Sequence, residues 1–267
     1  MSAPPAIELY CEVMGAGPPL VICHGLFGSG TNWRTLAKAL AAHYQVHLLD
    51  ARNHGRSAHA DSMSYGDMAL DLIATLKQLG LSKVHLIGHS MGGKTAMVVA
   101  LTAPHLVRSL VIADVSPVRY AHHFNAELTA MTSLALEHLK RRSQADAELG
   151  RFVQDCATRA FLLQNLVTSA ATGRYHWRIN LKAIEHGIAE LTGFPAIAAC
   201  YEGPATCIRG GQSNYVLDEH EALFRRYFAD FEMRTIAQAG HWLHAQQPQA
   251  FLQVLKEHLT KSTCGGD

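Results

Sequence analysis

Charge of one sign is the first thing this chain lacks. Lys and Arg number 23 against 22 Asp and Glu, a formal net charge of +1 over 267 residues, so no bulk field draws it to nucleic acid or to an anionic lipid surface. No apolar run approaches the roughly 18 residues of a membrane span. The opening Met1-Ser2-Ala3-Pro4-Pro5 has no basic stretch followed by an apolar one, so it does not read as a secretory leader. These absences give the expectation of a cytoplasmic protein with no membrane span and no nucleic-acid partner. The six cysteines (Cys11, Cys23, Cys156, Cys200, Cys207 and Cys264) form no C-x-x-C pair and fall mostly in apolar runs. A disulfide framework is denser and belongs to shorter chains, so reduced, buried thiols are expected. The 17 histidines include no H-E-x-x-H helix signature, and neither a metal nor a cofactor is called for. Internal repeats are absent too.

What is present is a folded globular composition, 48% apolar and 17% charged, in a chain long enough for one large α/β domain with an insertion. Ile7 to Val13 alternates weakly and reads as an edge strand. Leu20 to Cys23 is apolar on both faces, as a central parallel strand should be. Val46 to Leu49, Val84 to Ile87, Ser109 to Ala113, Ala205 to Ile208 and Met233 to Ala237 continue the series. Between them, Trp33, Leu36, Ala37 and Leu40 share one helical face, and Tyr65 to Leu79 is an amphipathic helix stopped by Gly80. From about Val118 to Ile197 the strand signal gives way to apolar residues at helical spacing. Residues 118–197 are therefore expected to form a helical cap, with 1–117 and 198–267 forming the core. Glu219 to Phe228 and Pro248 to Leu259 read as the last helices, with a frayed tail from Thr260 to Asp267. Strands alternating with helices imply a mainly parallel sheet flanked by helices, with ligands at the carboxyl ends of the strands.

Gly88-His89-Ser90-Met91-Gly92-Gly93 lies between the strand at Val84 and a small-residue helical segment from Lys94. Strand, sharp turn and helix are the context in which G-x-S-x-G lifts a serine hydroxyl above a sheet edge. Glycine is needed at 88 and 92 because side chains there would collide with neighbouring backbone. A serine hydroxyl is a poor nucleophile until an imidazole takes its proton and a carboxylate holds that imidazole in place. His241, in Ala239-Gly240-His241-Trp242 after the last strand, is the base singled out by position. For the acid, Gly210-Gly211-Gln212-Ser213-Asn214-Tyr215-Val216 has Ser213 where a G-x-x-D pattern would put aspartate. Asp114, at the end of the preceding strand, is preferred; Asp218 competes, although with Glu221 three residues on it reads as a helix N-cap. The backbone N–H groups of Leu26 and Met91 are the expected oxyanion donors. Phe27 and Trp242 flank these loops as candidate acyl-pocket residues, or as core.

The remaining candidates carry two readings each. His24 braces its loop, and Cys23 is core. Asp50 to Ser57, with Arg52, Asn53, His54 and Arg56, either captures an anion or forms a hydrogen-bonded loop under the site; bracing is preferred. Arg119, His122 and His123 either meet an anionic substrate or form a solvated face.

Taken together, His24 to Ser29, Asp50 to Ser57, Gly88 to Lys94, Asp114-Val115-Ser116-Pro117 and Asn180-Leu181 make the chain resemble the α/β-hydrolase superfamily over nearly its whole length. Within it the sequence is similar to small serine esterases related to the bacterial esterase YbfF and the alpha/beta-hydrolase domain-containing 11 group. The resemblance implies an α/β-hydrolase fold with a helical cap, the acid at Asp114, and hydrolysis of short to medium acyl esters through an acyl-enzyme. Thioester cleavage and carbon–carbon bond hydrolysis use the same groups and stay open. Haloalkane or epoxide chemistry needs a carboxylate at the elbow, where this chain has Ser90. A non-catalytic receptor on the same fold is disfavoured, because Ser90, His241, an acid and both elbow glycines are all present.

Overall fold

The computed structural model describes residues 6–121 and 124–264. Met1 to Pro5, His122, His123 and the end of the expected tail from Gly265 lie outside the described residues. The first half of the chain runs β1 (Cys11–Met14), β2 (Pro19–Cys23), α1 (Arg34–Leu40), β3 (Gln45–Leu49), α2 (Tyr65–Gln78), β4 (Val84–His89), α3 (Met91–Thr102) and β5 (Val107–Ala113). An insertion then carries α4 (Asn125–Thr132), α5 (Arg142–Leu149), α6 (Cys156–Leu163), β6 (Leu166–Thr168), β7 (Tyr175–Trp177) and α7 (Leu181–Leu191). The chain closes with β8 (Tyr201–Gly210), α8 (Glu221–Tyr227), β9 (Phe228–Ile236), α9 (Leu243–Gln246) and α10 (Pro248–Cys264).

Seven strands form one sheet in the order β1-β3-β2-β4-β5-β8-β9. Only β1 is antiparallel to its neighbour; every other pairing is parallel. Alternation along the strands sends side chains to opposite faces. Leu20, Ile22, Leu48 and Val111 meet Trp33, which precedes α1, Leu36 of α1, and Phe251 and Leu255 of α10 on one face. Val21, Leu49, Leu86 and Ile112 meet Leu72, Leu76, Met97 and Phe224 from α2, α3 and α8 on the other. The insertion's apolar residues, among them Leu128, Leu162 and Ile184, join this second cluster. From β2 the chain steps outward to β3 and then returns past β2 to β4, so the loops leaving β2 and β4 diverge. A crevice opens between them at the carboxyl ends of the strands.

Four departures from the sequence expectations bear on the architecture. The insertion is not wholly helical: Leu166↔Trp177 and Thr168↔Tyr175 pair as a small antiparallel sheet. Strand β9 starts at Phe228 rather than near Met233, because an edge strand tolerates Asp230 and Glu232 on its solvent side. The final helix does not fray at Thr260 but continues to Cys264, helped by the Ser262 hydroxyl donating to His258 C=O at 2.8 Å and by Lys261 reaching Glu232 at 3.1 Å. The thiols are not all buried either. Cys23 and Cys207 are, Cys11 is half-buried, and Cys156 and Cys200 are exposed, on α6 and on the segment leading into β8.

Candidate active site

Ser90 occupies the bend between β4 and α3 with φ 52° and ψ −118°, a left-handed conformation that a non-glycine residue adopts only under constraint. The constraint is the close packing of the bend. A Cβ on Gly88 would run into the Gly92 carbonyl, and one on Gly92 would run into the Cys23 carbonyl. Ser90 N–H donates to Ala113 C=O at 3.1 Å, and its own C=O accepts from Lys94 N–H at 3.1 Å, tying the bend to β5 and α3. The Ser90 side chain makes no capping bond to α3, which leaves its hydroxyl to the crevice.

Asp114 follows β5, also left-handed at φ 49°, and is fully buried. Its carboxylate accepts Gly210 N–H at 2.9 Å, the Ser213 hydroxyl at 2.5 Å and His241 Nδ1 at 2.8 Å. A carboxylate only accepts, so the proton lies on Nδ1 and Nε2 is the free nitrogen of His241. Ser213, standing where an aspartate was sought, thus supports the carboxylate supplied by the neighbouring strand. Asp218 has no such place. Its side chain is 91% exposed and paired with Arg209 at 2.6 Å, and the N-cap of its turn is Leu217, not Asp218 as the spacing suggested.

Two residues that the sequence did not flag hold the imidazole. Tyr215 stacks on His241 with ring centroids 3.9 Å apart and planes 16° from parallel. His89 Nε2 donates to the His241 carbonyl at 2.8 Å. Burial, then the facing rings of His244 and His241, drive the His89 pKa well below the ordinary range, so it serves as a neutral donor.

The loop after β2 forms the opposite wall. Gly25 lets it approach Ser90 closely: a Cβ there would lie 3.2 Å from that of Ser90. Among the described residues the N–H groups of Leu26 and Met91 find no protein acceptor, and both residues border a hollow beside Ser90. His24 bridges the base of the loop. Ala51 N–H donates to its Nε2 at 3.0 Å, and its Nδ1 donates to Gly25 C=O at 2.8 Å. His54 repeats the device, accepting Phe27 N–H at 3.3 Å while donating to Arg52 C=O at 2.8 Å. Burial lowers the His54 pKa to about 3, and His24 is lowered for the same first reason. From the insertion, Asn165 donates to Phe27 C=O at 2.8 Å. Its place in the site is visible only once the insertion is folded back.

Ser90 and His241 open onto one cavity of about 230 Å³, walled by Phe27, Phe124, Phe161 and Trp242. A second, much smaller hollow of about 20 Å³ also borders Ser90, against Leu26, Met91, Lys94 and Thr192. The remaining candidates are structural. Arg52 forks onto buried Asp71 at 2.6 and 2.9 Å, and Asp50 accepts the backbone N–H groups of Gly30 and Arg56. Arg119 donates to Ala189 C=O at 2.9 Å. Burial pushes the Cys23 thiol up to about 12, so it carries no thiolate near neutrality.

A parallel sheet with a strained serine bend, a buried carboxylate–imidazole pair and an aromatic cavity at its rim is the architecture of one family. The alpha/beta hydrolase fold profile matches residues 18–248, and the chain belongs to that family. The sn-1-specific diacylglycerol lipase ABHD11 of Mus musculus is 40% identical over 250 residues, covering 91% of this chain and 81% of that protein. Esterase YbfF of Escherichia coli is 33% identical over 90% of this chain and 92% of its own length. A marine microorganism esterase of known structure superposes with a TM-score of 0.92 at 40% identity, covering 95% of this chain and all of that one. Within the family the chain is an esterase/lipase-type hydrolase.

Proposed function

We propose that the protein hydrolyses carboxylic esters of small molecules, with short to medium acyl groups, through an acyl-enzyme on Ser90. His241 Nε2 takes the Ser90 proton as Oγ attacks the ester carbonyl. Asp114 holds the imidazole and stabilises its charged form. The carbonyl oxygen, now negative, is received by the N–H groups of Leu26 and Met91. Collapse expels the alcohol, which takes its proton from His241, and water then repeats the sequence on the acyl-enzyme. Residues 118–197 act as a cap over a core made of 1–117 and 198–267, and Phe27 and Trp242 line the substrate cavity.

The observation that carries this reading is the 2.8 Å bond from His241 Nδ1 to buried Asp114, with His241 and Ser90 opening onto one cavity. Labelling with a fluorophosphonate tests it. Wild type is expected to incorporate one probe per chain and Ser90→Ala none. Folded wild type that takes up no probe would refute the assignment.

A further inference from the structure

Two hollows meet at Ser90, and only one of them has His241 in its wall. The larger, about 230 Å³, is bordered by His241, Phe161 and Trp242. The smaller, about 20 Å³, shares Leu26 and Ser90 with it but is bordered by Met91 and Lys94 and not by His241. When a serine acyl-enzyme forms, the departing oxygen is protonated by the imidazole that deprotonated the serine. The alcohol half of the ester must therefore lie on the imidazole's side, in the larger cavity, which puts Phe27 and Trp242 against the alcohol rather than in the acyl pocket expected from the sequence. The carbonyl oxygen belongs to the Leu26 and Met91 donors, so the acyl substituent is left with the smaller hollow. Since about 10–15 Å³ on this measure holds one water, that hollow takes little more than a methyl or ethyl group unless its wall moves.

Lys94 holds that wall. It lies one helical turn beyond Ser90 on α3 and is 1% exposed, yet it ends in an amine, whose pKa burial and then nearby Arg119 pull down to about 7. The group donates to Val118 C=O at 2.8 Å, Thr192 C=O at 3.2 Å and Gly193 C=O at 2.5 Å. Three acceptors match the three N–H bonds of its ammonium form. Val118 belongs to the chain leaving the core for the insertion, and Thr192 and Gly193 to the chain coming back. The two are stitched together by Tyr120 N–H donating to Thr192 C=O at 2.8 Å. From α2, the Tyr65 hydroxyl adds a bond to Leu191 C=O at 2.7 Å. The rings of Tyr120 and Tyr65 face its nitrogen at 4.6 and 5.6 Å. Moving either stem away from α3 would strand buried N–H donors without their acceptors, which is unfavourable whether or not the amine is charged.

We infer that Lys94 is a positioning residue that sets acyl specificity: by pinning both stems of the insertion across the small hollow, it confines the acyl group while the alcohol varies freely in the aromatic cavity. The inference rests on the esterase reading above and assigns each half of the ester its side.

The test is kinetic, with 4-nitrophenyl esters from acetate to octanoate and a second series of acetates of increasingly bulky alcohols. Wild type should lose at least about 100-fold in kcat/KM from acetate to octanoate, a floor set well below the roughly 10-fold per added carbon that a closed pocket can exact, and under about fivefold across the acetates. Lys94→Met keeps an unbranched side chain one atom shorter and removes the three donors; it should reduce the acetate-to-octanoate ratio by about tenfold or more, through faster octanoate turnover. Tyr65→Phe should shift the ratio the same way by a smaller factor. A general loss of stability would lower both esters together and leave the ratio alone. An unchanged ratio in folded Lys94→Met overturns the inference, as does a wild type that prefers octanoate. Should Lys94→Met fail to fold, Tyr65→Phe decides, and an unchanged ratio there overturns it. Folded wild type that cleaves none of the esters sinks the esterase reading and this inference with it, an outcome distinct from a flat ratio.

Discussion

Asp114 accepts three hydrogen bonds while wholly buried, and each donor does a different job. Gly210 N–H fixes the carboxylate to β8, the Ser213 hydroxyl occupies the oxygen shared with the imidazole, and His241 receives its orientation in return. Replacing the carboxylate by an amide turns an acceptor into a donor and reverses the preferred tautomer. Asp114→Asn is therefore expected to lower kcat by orders of magnitude, with ~10⁴ the reference value from another serine hydrolase. Asp218→Asn, which touches only Arg209, should leave kcat within about twofold, the small effect typical of an exposed surface pair. Comparable losses in the two variants would remove Asp114 from the role assigned to it.

At the scale of loops and helices, the site stands on a floor made rigid by polar contacts. The loop from Asp50 to Ser57 is held by Arg52 forked onto Asp71 of α2, with side chains only 2% and 0% exposed. Asp71 also accepts Ile7 N–H at 2.8 Å, linking the chain start to the same point. Removing Asp71 would leave the buried Arg52 with only the longer 3.7 Å contact to Asp67. Asp71→Ala is accordingly expected to cost about 3–5 kcal/mol of unfolding free energy. The half-exposed Arg34–Glu12 pair at 2.5 Å offers the contrast, and Arg34→Ala should leave the urea midpoint nearly unchanged. Urea unfolding of both variants checks the difference. Equal, small losses would show that α2 holds the loop through apolar packing alone.

Over the whole molecule the histidines form a pattern that no single site explains. Burial lowers His54 and His244 to about 3 and His85 and His258 to about 4, against 6.5 in an open chain. Below 6.5 the unfolded chain takes up protons that the folded one refuses until pH 4 to 3. Their contribution to stability is thus fully present above 6.5 and is lost as the pH falls from there toward 3. The urea midpoint should fall clearly between pH 7.5 and pH 4.5. An unchanged midpoint would mean that these rings are protonated in place without unfolding. The same burial keeps His24, His54 and His89 neutral, which lets them bridge loops through fixed tautomers.

What the sequence determined by itself is what depends on neighbours along the chain. Short runs apolar on both faces mark the central strands, Gly88 and Gly92 mark a bend that side chains would block, and chain order lines up Ser90, Asp114 and His241 at strand ends. Through-space partnerships were illegible because their other half has no residue type. The acceptors of Lys94 are three backbone carbonyls, and the ring facing His241 comes from a loop where a tyrosine carries no periodic signal. The choice between Asp114 and Asp218 needed burial, which separates a carboxylate enclosed by three donors from one left in solvent. The β6–β7 pair was missed because strands that short leave no usable alternation. Only folding the insertion back over β4 and β5 brought its stems to α3, and with them the dimensions of the space beside Ser90.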